Sequence, residues 1–461
     1  MPLTRASRIA LFALVLLSML LRLLFLDRGA LAHDEPFTAY WSQQPLARFW
    51  AMLAEENNPP LHFLITRWWS MLVPFEASWL RVPSAISSGL VVWPLFLIAH
   101  HASGLRAATI AAVMFIFCSH HQGFAQEARA YALFTLLATL SMWLHMRVCR
   151  PTSRSALLLA VVNVLLVYTH FFGWLVVGLQ GLMVLALPAM RPHWRAWARA
   201  AAFTAVLFSP YIVIFLQRAQ AAVAGGTWLQ APSWEEPYNM IWRWSNAPVI
   251  AIAFIGLIAA SFVRKPGNGA LRNLAAIWAL VPLTTMFAVS FWIPVFHDRY
   301  LVFAAPGFAL LAAAGIEGVK SGPGVRWGLA GITAIAMAIT FEPNRKRYAP
   351  EGVVELAARL CGNECSLQVA PSWYWLNYLA ASDSEQLRQD QRHLLQSGIF
   401  IPDNVQAEAL GPTVLIDATG GTGYAGEKAA LRARYARIDS VEADHQVWLY
   451  RFMNSAQTAR P

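Results

Sequence analysis

A helix needs about 20 mainly apolar residues to cross the hydrocarbon core of a bilayer. This chain repeats such runs from near its start to residue 342. The candidate spans cover residues 8–27, 80–101, 107–125, 131–147, 156–171, 173–190, 200–217, 247–263, 273–291, 300–317 and 327–342. Composition agrees, with 57% hydrophobic and 13% charged residues, where a soluble domain carries about 25% charged. The expected fold class is therefore a mainly α polytopic membrane protein of about eleven spans. The net charge of +10 does not argue for nucleic acid, because the basic residues are scattered over short loops and form no stripe.

The apolar segment 59–74, "PPLHFLITRWWSMLVP", is short and carries Arg67 near its middle. It is read as an interfacial helix lying on the membrane. Charge supports that choice, since basic residues favour cytoplasmic loops. With the N-terminus inside, inner loops hold Arg106, then Arg147, Arg150 and Arg154, then Arg191, Arg195 and Arg199, with Arg264, Lys265, Arg272, Lys320 and Arg326 further on. Outer loops hold Asp34, Glu35, Glu55, Glu56, Glu127, Glu235, Glu236 and Asp298. The first run is read as a retained span and not a cleaved signal peptide, although "ALA" at 30–32 has the small-residue pattern of a cleavage site.

The expected organisation is a transmembrane domain over 1–342, with a long first outer loop at 28–79, and a small extracytoplasmic α/β domain over 343–461. In the tail, strand-like alternation in "CSLQVA" (365–370), "TVLIDATG" (413–420) and "HQVWLYRF" (445–452) surrounds a helical stretch, "AGEKAALRARYARI" (425–438). The topology puts this domain in the periplasm of a Gram-negative cell, with the spans in its inner membrane. Cys361 and Cys365 fall there, where a disulfide is chemically permitted but a short loop strains it. Cys118 and Cys149 read as packing residues.

The spans carry few polar groups at mid-depth: Asn163, Gln180 and His145. An ion-coupled transporter would place ionisable groups there. Here they collect at the outer mouth instead. His33, Asp34 and Glu35 follow the first span, Gln126, Glu127 and Arg129 the third, Tyr168 and His170 end the fifth, and His297, Asp298 and Arg299 precede the tenth. Each piece alone has a plainer meaning: a helix start favoured by the dipole, a snorkelling arginine, a packing histidine. Together they suit a site where a lipid headgroup meets a water-borne molecule.

The ordered set "HDEPFTAYW", "NNPPLHFLITRWW", "RVPSAISSGL", "QEARAYAL", "YTHFFG" and "HDRYLVFAAPGFALLAAAGI" resembles the GT-C class of polytopic membrane glycosyltransferases. The likeness is to the family 39-like branch, which includes protein O-mannosyltransferases and lipid A aminoarabinose transferases. It covers most of residues 1–320. The resemblance implies a polyprenyl-phosphate-linked sugar donor and a lipid, glycan or protein hydroxyl as acceptor. It implies a first-loop carboxylate facing the acceptor, which maps to Asp34 with Glu35 beside it, and a second acid at Glu127. Which of the three acts as base is left open, as is a divalent cation; magnesium or manganese would suit hard oxygen ligands.

The chemistry points the same way. Transfer of a sugar from phosphate to a hydroxyl needs a base for the hydroxyl proton. A nearby negative charge also stabilises an oxocarbenium-like transition state. The leaving phosphate needs cationic donors, and the arginine fork suits it. Arg299 and Arg129 are the candidates, with Arg81 a third; His33, Tyr168, His170, His297 and Asp298 are candidate cleft residues. Three other readings are a transporter or flippase of lipid-linked sugars, a scaffold protein whose tail binds a partner, and a ligase moving a whole glycan from a lipid diphosphate. Trp228, Trp234, Trp242 and Trp244, in the expected outer loop 218–246, are candidates for stacking on a sugar, with an interfacial aromatic belt as the plainer reading.

Overall fold

The computed structural model describes residues 3–27, 31, 34–148, 153–225, 229–263, 269–343, 356–357, 359–360, 366–370, 385, 389, 413–417, 425–444 and 447–453. His33, Trp228, Cys361 and Cys365 lie outside the described residues. The chain divides into two compact units. The first takes Met1–Leu26, Pro45–Ile65 and Arg81–Arg345, and the second takes Asp27–Gln44, Thr66–Leu80 and Lys346–Pro461.

The helices in chain order are α1 (Arg5–Leu23), α2 (Glu35–Gln43), α3 (Leu46–Glu55), α4 (Pro60–Ser70), α5 (Ala77–Leu90), α6 (Val92–Ile116) and α7 (Ser119–Ala125). Then come α8 (Tyr131–Val148), α9 (Ser153–Val167), α10 (Gly173–Ala186), α11 (Trp194–Phe208), α12 (Ile212–Gly225), α13 (Glu236–Ser245), α14 (Pro248–Val263), α15 (Gly269–Val289), α16 (Ala305–Glu317), α17 (Pro323–Ile339) and α18 (Ala425–Arg434). Among the described residues, five helical stretches are long and apolar enough to cross a membrane, or six if α13 and α14, bent by 100°, make one broken span. Three shorter apolar helices accompany them. The chain is a polytopic membrane protein.

Several boundaries follow local chemistry. Thr4 caps α1, its hydroxyl accepting from the Ser7 amide at 3.1 Å. Helix α6 leaves helical geometry at Gly104, whose φ of 85° is open to glycine at little steric cost. That break falls beside Arg106, where the sequence implies a loop. Helix α4 has 11 residues, too short for a hydrocarbon core of about 30 Å at 1.5 Å per residue. The stretch 218–246 is not an open loop, since α12 runs on to Gly225 and α13 fills 236–245.

In the first unit α16 is the buried centre, with every residue from Ala305 to Ile316 enclosed. Its small side chains let neighbouring backbones come close, the usual device where lipid provides no hydrophobic drive between helices. A Cβ on Gly307 would stand 2.9 Å from Trp278 Cγ, and Trp278 Nε1 donates to the Phe303 carbonyl at 3.0 Å. At the other end of α16, Arg106 grips Glu317 with Nε and Nη2 at 2.5 and 2.6 Å.

The mid-helix polar residues also find partners. Ser141 of α8 donates to Asn163 Oδ1 of α9 at 2.5 Å, Asn163 Nδ2 donates to Gln180 Oε1 of α10 at 3.2 Å, and Gln180 Nε2 returns to Ser141 Oγ at 2.5 Å. All three are fully buried. The ring satisfies its own hydrogen bonds, so it reads as interhelical adhesion and not as an ion path.

The second unit contains a four-stranded sheet in the order β1-β2-β4-β3, from β1 (Ser366–Ala370), β2 (Thr413–Asp417), β3 (Arg437–Asp444) and β4 (Val447–Met453). β1 and β2 are parallel, with Ser366 opposite Thr413, and β4 runs antiparallel to both β2 and β3. The α/β expectation holds here with one correction. The helical stretch 425–438 stops at Arg434, and Arg437 opens β3. This edge strand is mostly exposed and charged, "RIDSVEAD", so it lacks the apolar alternation that marks a half-buried strand. Leu431 of α18 packs with Leu415, Tyr435, Tyr450 and Phe452.

Candidate functional site

The site residues of the first unit depend on a break in the chain after α6. The last carbonyls of any helix lack intrahelical donors. Here Arg22, completely buried on α1, supplies them: its guanidinium donates to the carbonyls of Phe115 and Ile116 at 3.0 and 2.9 Å. It also donates to Ser88 Oγ at 3.0 Å and Gln122 Oε1 at 2.5 Å. Ser88 in turn meets His121 Nδ1 at 2.9 Å. One cation on α1 thus ties α5, α6 and the short α7 together.

Helix α7 presents His120. Its Nε2 lies 3.4 Å from Asp298 Oδ2, and His297 Nδ1 lies 2.8 Å from Asp298 Oδ1. His297 Nδ1 is also 3.3 Å from the Arg299 amide, but it cannot donate to one group and accept from the other at once. The shorter contact, to the carboxylate, makes Nδ1 the protonated nitrogen. Asp298 is thus flanked by two imidazoles and is poorly disposed to act as a general base.

The turn after α7 carries Glu127 and Arg129, closed by the Arg129 amide on the Glu127 carbonyl at 2.8 Å. Ser84 donates to the Arg129 carbonyl at 3.2 Å, and the Arg129 guanidinium lies over the Phe63 ring at 5.9 Å. Arg129 is 7% exposed. Arg299 Nη1 donates to the Tyr131 hydroxyl at 3.4 Å. His62 of α4 is buried close by, and burial first, then the charge of Arg129, push its pKa down to about 3.

His170 sits in the connection between α9 and α10, since α9 ends at Val167 and not at 171. Its ring stacks on Phe134 and Phe172 at 4.8 and 5.4 Å, with Tyr300 at 5.8 Å and Tyr131 at 6.2 Å. Burial, then the charges of Arg129 and Arg299, lower its pKa to about 3. The structure therefore gathers Arg129, Arg299, His170, His297 and Asp298, five of the residues singled out in the sequence.

Other candidates are occupied differently. Tyr168 donates its hydroxyl to the Leu207 carbonyl at 2.9 Å and packs in an aromatic group with Phe208 and Tyr211. Arg81 is fully buried and donates to the Leu26 carbonyl at 3.0 Å. Trp244 is buried against Phe308 at 5.4 Å, whereas Trp234 is 80% exposed beside Phe291. His62, His120 and Tyr131 were not singled out in the sequence. "SHH" at 119–121 reads there as the end of a span, and its polar run was the available signal.

In the second unit Asp34 is the N-cap position of α2 but makes no side-chain capping bond, and Glu35 is 1% exposed. The end of α2 is held by Arg67, which donates to the carbonyls of Ser42 and Gln44 at 3.0 and 2.5 Å. The residue that makes 59–74 a poor span is therefore a cap on the helix bearing the first-loop acids. Among the described residues no group of three or more His, Cys, Asp and Glu side chains is placed to hold a metal ion.

No protein-family model matches the sequence, and no curated protein matches it significantly. Its fold is shared with solved structures. ArnT from Cupriavidus metallidurans in the apo state aligns with a TM-score of 0.64 over 99% of this chain and 100% of that one, at 14% identity. ArnT bound to undecaprenyl phosphate gives 0.62 over 98% and 99%, at 13% identity. The oligosaccharyltransferase AglB from Archaeoglobus fulgidus, in complex with an inhibitory peptide and a dolichol-phosphate, gives 0.52 over 99% of this chain and 75% of its own, at 11% identity. The chain has the GT-C fold of polytopic membrane glycosyltransferases.

Proposed function

We propose that the protein transfers a sugar from a polyprenyl-phosphate carrier to an acceptor hydroxyl at the outer face of a bacterial inner membrane. The observation that carries this reading is that Arg299 donates to Tyr131, which stands two residues after buried Arg129 and whose ring lies 6.2 Å from that of His170, on a fold shared along its whole length with ArnT, which has been crystallised with undecaprenyl phosphate.

The acceptor oxygen attacks the anomeric carbon as the bond from that carbon to the phosphate oxygen breaks. Asp34, with Glu35 beside it, takes the hydroxyl proton, and Glu127 is the second acid. The departing lipid phosphate gains negative charge, which Arg129 and Arg299 neutralise by charge-assisted hydrogen bonds. The His120–Asp298–His297 group orients the backbone that carries Arg299. The burial of Arg129 strengthens its attraction for an anion by lowering the local dielectric.

Mass spectrometry of envelope glycolipids and glycoproteins, with and without the gene, identifies sugar and acceptor as a single missing residue. Reconstituted protein then tests the assignment. Failure of the wild type to use any polyprenyl-phosphate sugar overturns the reading. Full activity of a folded Asp34→Asn variant removes only the choice of base.

A further inference from the structure

The ring of His170 is 4% exposed and lies face to face with Phe134 and Phe172, tilted by 18° and 17°. Such a clamp fixes the ring plane. Its Nδ1 accepts the backbone N–H of Phe172 at 3.2 Å. A neutral imidazole with Nδ1 as acceptor carries its proton on Nε2. Nε2 points away from that backbone contact, is buried, and has no hydrogen-bond partner among the described residues. An unmet buried donor is unfavourable, and a bound ligand would supply the partner it lacks. Its surroundings name the ligand's charge. The Tyr131 ring lies 6.2 Å from the His170 ring and its hydroxyl accepts from Arg299, and buried Arg129 stands two residues before Tyr131, so two cations lie near a neutral donor.

We propose that His170 is a neutral hydrogen-bond donor that, through Nε2–H, binds an oxygen of a phosphate monoester held between Arg129 and Arg299. This inference rests on the proposed lipid-phosphate reaction and assigns a residue to the phosphate within it. No proton is transferred. The imidazole stays neutral throughout, and its part is to orient the phosphate against the two guanidinium groups. A third cation at this point would gain attraction for the anion, but at the cost of repulsion from both arginines. A neutral donor avoids that cost.

The probes are undecaprenyl phosphate, undecaprenol lacking the phosphate, and inorganic phosphate as competitor, each added to the full-length protein in detergent. His170→Phe keeps the stacking and removes the donor. It should weaken undecaprenyl phosphate binding about tenfold, which corresponds to about 1.4 kcal/mol. Undecaprenol binding should be unchanged, while the melting temperature should fall modestly, because the Phe172 amide loses its acceptor on Nδ1. His170→Gln, which offers an N–H near the position of Nε2, should restore most of the affinity. His170→Asn, whose N–H lies nearer the Nδ1 position, should not.

The ratio of wild-type to Phe-variant affinity should stay flat from pH 5.5 to 8.5, because the donor is neutral throughout. A ratio rising below about pH 6.5 would mean an imidazolium ion pair and would overturn the proposal. Equal binding by His170→Phe, or parallel loss for undecaprenol, would also overturn it. If the Phe variant does not fold, equal affinities for the Gln and Asn variants overturn it. Direct binding of inorganic phosphate, with no wild-type binding of undecaprenyl phosphate, marks a free-phosphate site and fails the lipid-donor reading itself. Binding by wild type with no effect at His170 fails only this inference.

Discussion

His120 and Asp298, far apart in the first unit's sequence, meet with Nε2 3.4 Å from Oδ2. The carboxylate is engaged on its other oxygen by His297, so α7 is coupled to the segment that carries Arg299. Asp298→Asn removes the charge both imidazoles face and should destabilise the protein by about 1–3 kcal/mol. His120→Gln should cost less in the Asp298→Asn background than in the wild type, with a coupling of about 0.5–3 kcal/mol. Thermal unfolding of the four proteins in one detergent measures this cycle; strict additivity would show that the contact carries no energy.

Arg299 donates to Tyr131 and is assigned to the leaving phosphate. Arg299→Lys keeps the charge but loses the fork, so transfer should fall by about 2–4 kcal/mol in the barrier, roughly 30- to 1000-fold in kcat. Tyr131→Phe removes only the hydroxyl that accepts from Arg299 and should cost far less. The comparison needs kcat and KM for both variants with a matched polyprenyl-phosphate sugar.

Gly307 has no room for a side chain, since a Cβ would lie 2.9 Å from Trp278 Cγ and 3.1 Å from the Ala279 amide nitrogen. Gly307→Ala should separate α16 from α15 and destabilise by about 1–3 kcal/mol. Gly331→Ala, inside α17 with nothing within 4 Å, is the control and should leave the melting temperature unchanged or slightly raised.

His62 supplies a pH dependence with a defined sign. Its folded pKa of about 3 lies below the unfolded value of about 6.5. Between those values the unfolded chain binds more protons than the folded one, so this residue's contribution is complete above about pH 6.5 and is lost as pH falls toward 3. The slope it adds is at most about 1.4 kcal/mol per pH unit. His62→Gln should flatten the acid limb of the stability curve by that increment. Parallel curves for variant and wild type, measured by thermal unfolding from pH 7 to pH 4, would show that His62 is not buried neutral.

The polytopic helical class, the short α4 and the strands β1, β2 and β4 were determined by the amino-acid sequence alone. Each depends on the hydrophobic pattern of neighbouring residues, which is local information. Arg129, Arg299, His297 and Asp298 also stood out in the sequence, together with Asp34, Glu35, Glu127 and Arg81, because charged side chains are costly beside lipid. Tertiary structure alone decided the rest. Arg22 and Arg67 read as interruptions in apolar runs, yet each caps a distant helix end. Asn163 and Gln180 read as stray polar residues, yet close a ring with Ser141. His120 was hidden at the end of an apparent span, and β3 in a charged stretch. In each case the partner lies far away in sequence, and the energy of a hydrogen bond or a close contact belongs to the pair, so neither residue announces it alone.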